Sequence, residues 1–216
     1  MPDTAQQVIE ESQGLLNDLG GVFYTFDSLL PYLNKAYREL QDYYNLHGLK
    51  TTVDVSSPGI TVPANAESLA NPPADLLRPI TLSERTPGSV EQFTEMDERN
   101  WEPDEVRTTH LRVWTWREET IYFRGATADR ELRIRYVKSL SPLAGAGSFV
   151  AVANAKSVLA ARTAALGARY IGENPTRADE LDSETGRALD RLIVTAIRQS
   201  QGLPARRRRT RYRVPN

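Results

Sequence analysis

The stretch His110–Leu140, HLRVWTWREETIYFRGATADRELRIRYVKSL, decides the fold class of this chain. Its last run, Glu131-Leu132-Arg133-Ile134-Arg135-Tyr136, alternates polar and apolar residues with the two-residue period of a half-buried strand. That period sends Leu132, Ile134 and Tyr136 inward and Arg133 and Arg135 outward. Upstream, the same reading places Leu111 and Val113 on one face and Arg112, Trp114 and Trp116 on the other. Arg117-Glu118-Glu119 turns the chain into Thr120-Ile121-Tyr122-Phe123, and a second bend is marked by Asp129 and by Gly125, read as a turn glycine. The expectation is a three-stranded antiparallel meander.

Helical patterns lie on both sides of this stretch. Toward the N-terminus, Asp3 or Thr4 with Gln6 or Gln7 three residues on reads as an N-cap with its partner, and Ala5, Val8, Leu15, Leu16 and Leu19 keep helical spacing over about 3–19. A second helix, about 28–47, is capped by Asp27 or Ser28, carries Pro31 in its first turn, and aligns Leu29, Leu33, Ala36, Tyr37, Leu40, Tyr43 and Tyr44. The tyrosines at this spacing read as a core or interface face rather than a stacking platform for bases.

Between that helix and the meander, Thr51–Val55 and Ile60–Val62 read as a hairpin turning at Ser57-Pro58-Gly59. A loop-rich, proline-containing segment follows, in which Ile80–Leu82 has the residues to pair with the sheet, and Glu91–Trp101 reads as a short helix. After the meander come two long helices, about 149–171 and 175–199. The first is lined with alanines, and the second is capped by Asn174 with Pro175 at its first position. The predicted architecture is α+β: a single domain over 1–203 made of a bundle of about four helices, an inserted β region at about 50–140, and a basic C-terminal arm at 204–216.

Composition narrows the function. Without cysteine, disulfides, thiolate nucleophiles and cysteine-ligated zinc are excluded. No run approaches the roughly 18 apolar residues of a membrane span, so the chain is expected to be soluble and made in the cytoplasm, without membrane partners. There is no phosphate-binding glycine loop and no dinucleotide pattern. His47 and His110 stand apart, and the carboxylates of Glu118 and Glu119 sit at an exposed hairpin tip where nothing favours acid–base work. The acidic run Glu95, Asp97, Glu98, Glu102, Asp104, Glu105 has no repeated ligand spacing and reads as a solvated loop. No catalytic residue, cofactor or metal site is predicted.

The formal net charge of −1 conceals an asymmetry: Arg206, Arg207, Arg208, Arg209, Arg211 and Arg213 are six of 27 basic residues, leaving 21 against 28 acidic ones and a body charge of −7. With Tyr212, this tail suits an acidic protein surface first, nucleic-acid phosphate second and plain solvation third. Trp114 and Trp116 are open to two readings, an interface patch or a cover for the helical bundle.

Taken together, LLPYLNKAYRELQ at Leu29–Gln41, LRVWTWREETIYF, GAT and LRIRY between Leu111 and Tyr136, and RYIGENPTRADEL at Arg169–Leu181 resemble the adaptor, or head-completion, proteins at the head-to-tail neck of tailed bacteriophages. The resemblance implies a structural virion protein at the neck, forming a ring of about twelve copies beneath the portal ring. Such a ring continues the DNA channel to the tail or nozzle proteins and helps retain packaged DNA. It implies that Arg206–Arg213 dock on the portal, and that Trp114, Trp116 and Tyr122, with Arg133 and Arg135, meet a neighbouring subunit or the tail. The alternative is a sequence-nonspecific nucleic-acid-binding protein acting through the arginine tail.

Overall fold

The computed structural model describes residues 2–49, 53–100 and 106–200. The basic arm at 204–216 lies outside them, as does Trp101. The fold is α+β, and the chain divides into two compact units, Met1–Leu49 with Leu143–Asn216, and Lys50–Pro142.

The first unit contains helices α1 (Ala5–Leu15), α2 (Phe26–Leu46), α3 (Lys156–Tyr170) and α4 (Pro175–Ser200). A capping box opens α1: Thr4 Oγ1 accepts from the Gln7 amide at 3.3 Å, and Gln7 Oε1 accepts from the Thr4 amide at 2.9 Å. Helix α1 stops before the predicted end at 19 because the Asp18 carboxylate gathers the amides of the following loop. Leu19 therefore leaves the apolar stripe and is 86% exposed. Helix α2 starts earlier than predicted, with Thr25 as its cap, so Pro31 falls in the second turn and its missing N–H removes the bond to the Asp27 carbonyl. Of the tyrosines along it, Tyr37 and Tyr44 are core residues.

Helix α3 begins at Lys156 instead of 149 because the preceding residues pair in extended form with the N-terminus. Val150 donates to Asp3 O at 2.8 Å and Ala5 to Ser148 O at 2.8 Å. Tyr37 Oη accepts from the Ala151 amide at 2.8 Å, and Asn34 holds Leu143 through both its carbonyl and its amide, at 2.7 and 3.0 Å. Within the unit α3 is central and touches α1, α2 and α4. Ala160, Ala161, Ala164, Ala165 and Ala168 bury on several sides at once, which lets three helices approach one. Helix α4 starts as its sequence predicts, with Asn174 Oδ1 accepting from the Arg177 amide at 3.0 Å and Pro175 in first position.

The second unit holds a five-stranded sheet of β1 (Val53–Val55), β2 (Ile60–Val62), β3 (Leu76–Arg85), β4 (Thr94–Glu95) and β8 (Arg130–Lys138). Its three-stranded sheet is made of β5 (Asp97–Glu98), β6 (Val113–Arg117) and β7 (Thr120–Phe123). The alternation along β8 holds as read: Leu132 and Ile134 are fully buried, Tyr136 is nearly so, and Arg133 and Arg135 are exposed.

The pairing differs from the predicted meander. β6 and β7 form the hairpin, but β8 lies in the other sheet between β3 and the β1–β2 edge. The segment between β7 and β8 is drawn away by Ala64 donating to Asp129 Oδ1 at 2.8 Å and Asn65 donating to Ala126 O at 2.6 Å. Gly125 is needed there for close approach rather than for a turn, since a Cβ would lie 2.6 Å from Ala66 O and from Asn65 C.

The predicted β1–β2 hairpin is also replaced. Both segments lie end to end along β8, in register at Val55↔Arg135 and Ile60↔Leu132. Ser56 carries the ladder across the gap, donating its amide to Ile134 O and accepting the Ile134 amide on Oγ, each at 2.9 Å. Ser57-Pro58-Gly59 is then a loop off one edge rather than a turn between partners. In place of the predicted helix at 91–101 stand β4 and β5. They belong to different sheets and change over at Met96, which is 4% exposed and donates to Leu82 O at 2.9 Å. Ile80–Leu82 does pair with the sheet, as part of a ten-residue β3 whose register shifts beside Pro79.

Candidate functional site

The residues expected to form one contact surface are placed on two sheets. Trp114 and Trp116 share a face of β6 with Ile121 and Phe123 of β7, and that face is the unit's own core. Trp114 is 1% exposed and packs within the sheet unit's own core, and the half-buried Trp116 lies at its rim. Tyr122, half-buried, points to the opposite face, with the Arg117 guanidinium 5.4 Å from its ring centroid.

Arg133 and Arg135 lie on the outer face of the five-stranded sheet, opposite Ser83 and Thr81 of β3. On that face Phe93 meets two guanidinium groups, Arg85 at 4.4 Å and Arg133 at 4.1 Å from the ring centroid. Arg85 is held in turn by a two-pronged bond to Glu131 at 2.7 and 3.2 Å, which, against the effect of burial, keeps the Glu131 carboxyl below its ordinary range. The result is an ordered basic and aromatic platform on a rigid sheet.

Beneath it lies an ion pair that sequence reasoning missed. Glu84 and Arg130, with side chains 4% and 7% exposed, bind one another directly, and Thr86 Oγ1 accepts from Arg130 at 3.1 Å. His110 Nδ1 sits 3.2 Å from Glu84 Oε1 and 3.1 Å from Arg130 Nη2, with its ring half exposed. The carboxylate is already engaged by the guanidinium, so the histidine closes the mouth of a structural pair rather than facing a free base. Among the described residues no group of three or more histidine, aspartate or glutamate side chains is placed to hold a metal ion.

In the helical unit, RYIGENPTRADEL becomes a joint between helices. Arg169 reaches Asp179 and Asp182 at 2.7 and 3.0 Å, and Arg177 donates to the Leu15 carbonyl at 2.8 Å. Arg162 spans α2 and α4, binding Glu39 at 2.7 and 3.2 Å and Asp182 at 2.5 Å, and these bonds raise its already high pKa against the effect of burial.

The α1–α2 loop is the other feature that sequence reading assigned differently, as the end of a helix followed by a short apolar stretch. Asp18 accepts from the amides of Val22 at 3.1 Å, Phe23 at 2.9 Å and Tyr24 at 2.7 Å, while Gln13 donates to Tyr24 O at 2.7 Å. Gly21 adopts φ +59° over Gln13, where a Cβ would meet Nε2 at 2.5 Å. The signal in the sequence was DLGGVF, apolar residues bracketing two glycines after a helix stop.

The Tyr24 amide first, then those of Val22 and Phe23, hold the Asp18 carboxyl below its usual 3.8 against desolvation. A depressed folded pKa means the brace is complete above 3.8 and is lost as pH falls through the lower folded value. Amide exchange measured by NMR is therefore expected to lose protection at Val22, Phe23 and Tyr24 as pH falls through that lowered value, while α3 stays protected. Asp18→Ala is expected to leave those three amides unprotected at every pH.

The arm residues Arg206, Arg207, Arg208, Arg209, Arg211, Tyr212 and Arg213 lie outside the described residues. No helix among the described residues is long and apolar enough to cross a membrane. No curated protein matches the chain. Residues 3–213 match the family described as SU10 adaptor protein, so the match takes in both units and most of the arm. The chain belongs to this family of phage head-to-tail adaptors, structural proteins of the virion that join head and tail components.

Proposed function

We propose that the chain forms a ring between the portal and the tail, continues the DNA channel, and helps retain packaged DNA. The observation that carries this reading is family membership over residues 3–213, nearly the whole chain. In this reading Arg206–Arg213 dock on an acidic surface of the portal, becoming ordered as they bind. Tyr122 on one face of the β6–β7 hairpin, Trp116 at the rim of the other, and the platform of Arg133 and Arg135 are the candidate contacts for a neighbouring subunit or a tail component. The acidic body suits a channel lining, because like charge keeps DNA from adhering in passage.

The test is a pull-down with purified portal rings at moderate salt, comparing the full chain with one truncated after Leu203. Binding by the full chain and its loss on truncation is the expected result. If neither form binds portal while the full chain binds duplex DNA with a log–log salt slope of about −5, the arginine tail is a nucleic-acid contact and the adaptor mechanism fails.

A further inference from the structure

The acidic excess of this chain is not spread evenly. From Glu95 to Glu105 six carboxylates stand against one basic residue, Arg99, so this short run holds −5 of the body's −7. Its described part is fixed and open. Asp97 and Glu98 form β5, in register with Val113 and Trp114, and Glu95, Asp97 and Glu98 are all exposed. Among the described residues none of the three is in an ion pair.

The opposite charge collects on the outer face of the five-stranded sheet. Arg133 and Arg135, two residues apart on β8, share that face, are exposed, and are in no ion pair among the described residues. Glu131 is held by the two-pronged bond from Arg85, so it leaves Arg133 without a partner of its own, while the Phe93 ring steadies the Arg133 guanidinium at 4.1 Å. Ser83 and Thr81 stand opposite the two arginines on β3, Val55 lies opposite Arg135 on β1 and is 43% exposed, and Glu95 borders the face on β4.

Arginine forks of this kind fit carboxylates, and one that is already ordered loses less freedom on binding. A face of mixed sign bordered by apolar surface suits a protein segment, whereas the uniform charge of a nucleic-acid backbone would meet Glu131 and Glu95. Within one chain the two patches stay apart, because the changeover at Met96 carries Asp97 and Glu98 onto the other sheet. Two unlike patches on one surface give a head-to-tail contact, which closes into a ring when the rotation between copies closes. Seating the run of one copy on the arginines of the next turns the main source of repulsion between copies into attraction.

We propose that the acidic run beginning at Asp97 of one copy docks on the Arg133 and Arg135 face of the next, forming a charge-paired subunit contact of the ring. This rests on the ring reading above and names the surfaces that build it.

The test is a charge swap in full-length chains. One variant reverses the face, Arg133→Glu with Arg135→Glu; the other reverses the run, with Asp97→Lys, Glu98→Lys, Glu102→Lys and Glu105→Lys taking it from −5 to +3. Closed rings on purified portal rings are counted by electron microscopy, alongside thermal unfolding and portal pull-down. Each variant alone is expected to keep its thermal midpoint and its portal binding while closed rings fall about tenfold or more. An equal mixture is expected to recover them, with the two variants alternating around the ring. The milder Arg133→Gln with Arg135→Gln is expected to reduce closed rings in the same direction. Closed rings at the wild-type level from any of these variants alone, or a mixture that recovers none, overturn the docking and leave the adaptor reading standing. A wild-type chain that neither forms rings nor binds portal overturns both.

Discussion

Trp114→Ala is expected to destabilise the sheet unit by about 3–5 kcal/mol, the cost of removing a fully buried aromatic side chain and leaving a cavity. The side chain is 1% exposed and packs in a core with Ile121, Phe123, Leu132 and Ile134. The neighbouring Trp116→Ala, at the half-buried rim, is expected to cost clearly less. Urea unfolding followed by circular dichroism separates the two. If Trp114→Ala unfolded at the wild-type midpoint while losing partner binding, the residue would be an interface anchor and the core assignment would be wrong.

Arg130→Met is expected to cost about 3–5 kcal/mol, because it leaves the Glu84 carboxylate buried without its partner. The side chain of Glu84 is only 4% exposed, and His110, half exposed at the mouth, does not replace a guanidinium. Replacing both partners, Glu84→Leu with Arg130→Met, is expected to recover most of the loss, since a well-packed apolar pair of similar volume is often neutral in place of a buried ion pair. Thermal unfolding of the two single variants and the double variant gives the coupling. A double variant as unstable as the sum of the singles would show that the pair is not the source of the cost.

The elements whose signals are local were legible. The period of two along Glu131–Tyr136 identified the central strand and its buried face, the Thr4 and Gln7 box began the first helix, and Asn174-Pro175 began the last. Pairing between distant segments was not legible. In Val113-Trp114-Thr115-Trp116 apolar residues occupy both strand faces, so alternation alone does not say which face meets the core. Whether β7 continues into β8 as a meander depends on Asn65 and Ala64 pulling the connection aside, contacts made some 60 residues away in sequence. The two short β-type runs around Ser57-Pro58-Gly59 have the composition of a hairpin. Ser56 bonding to Ile134 makes them one interrupted edge instead.

The candidate surfaces divide the same way. Arg133 and Arg135 read as outward-facing and are, whereas Trp114, open in the sequence to an interface patch or a cover for the helices, lies in the sheet unit's own core. The exposure of Leu19, Val22 and Phe23 was hidden because Leu19 keeps the spacing of the helix before it. Only the early helix stop, set by Asp18 capping the loop amides, turns the loop outward.

Electron cryomicroscopy of portal rings incubated with the full-length chain tests the central claim most directly. The account predicts a closed ring of copies of this chain, coaxial with the portal, bound at one end and leaving the channel open. Bare portal rings in the presence of folded chain, or irregular decoration with no closed ring, would contradict it.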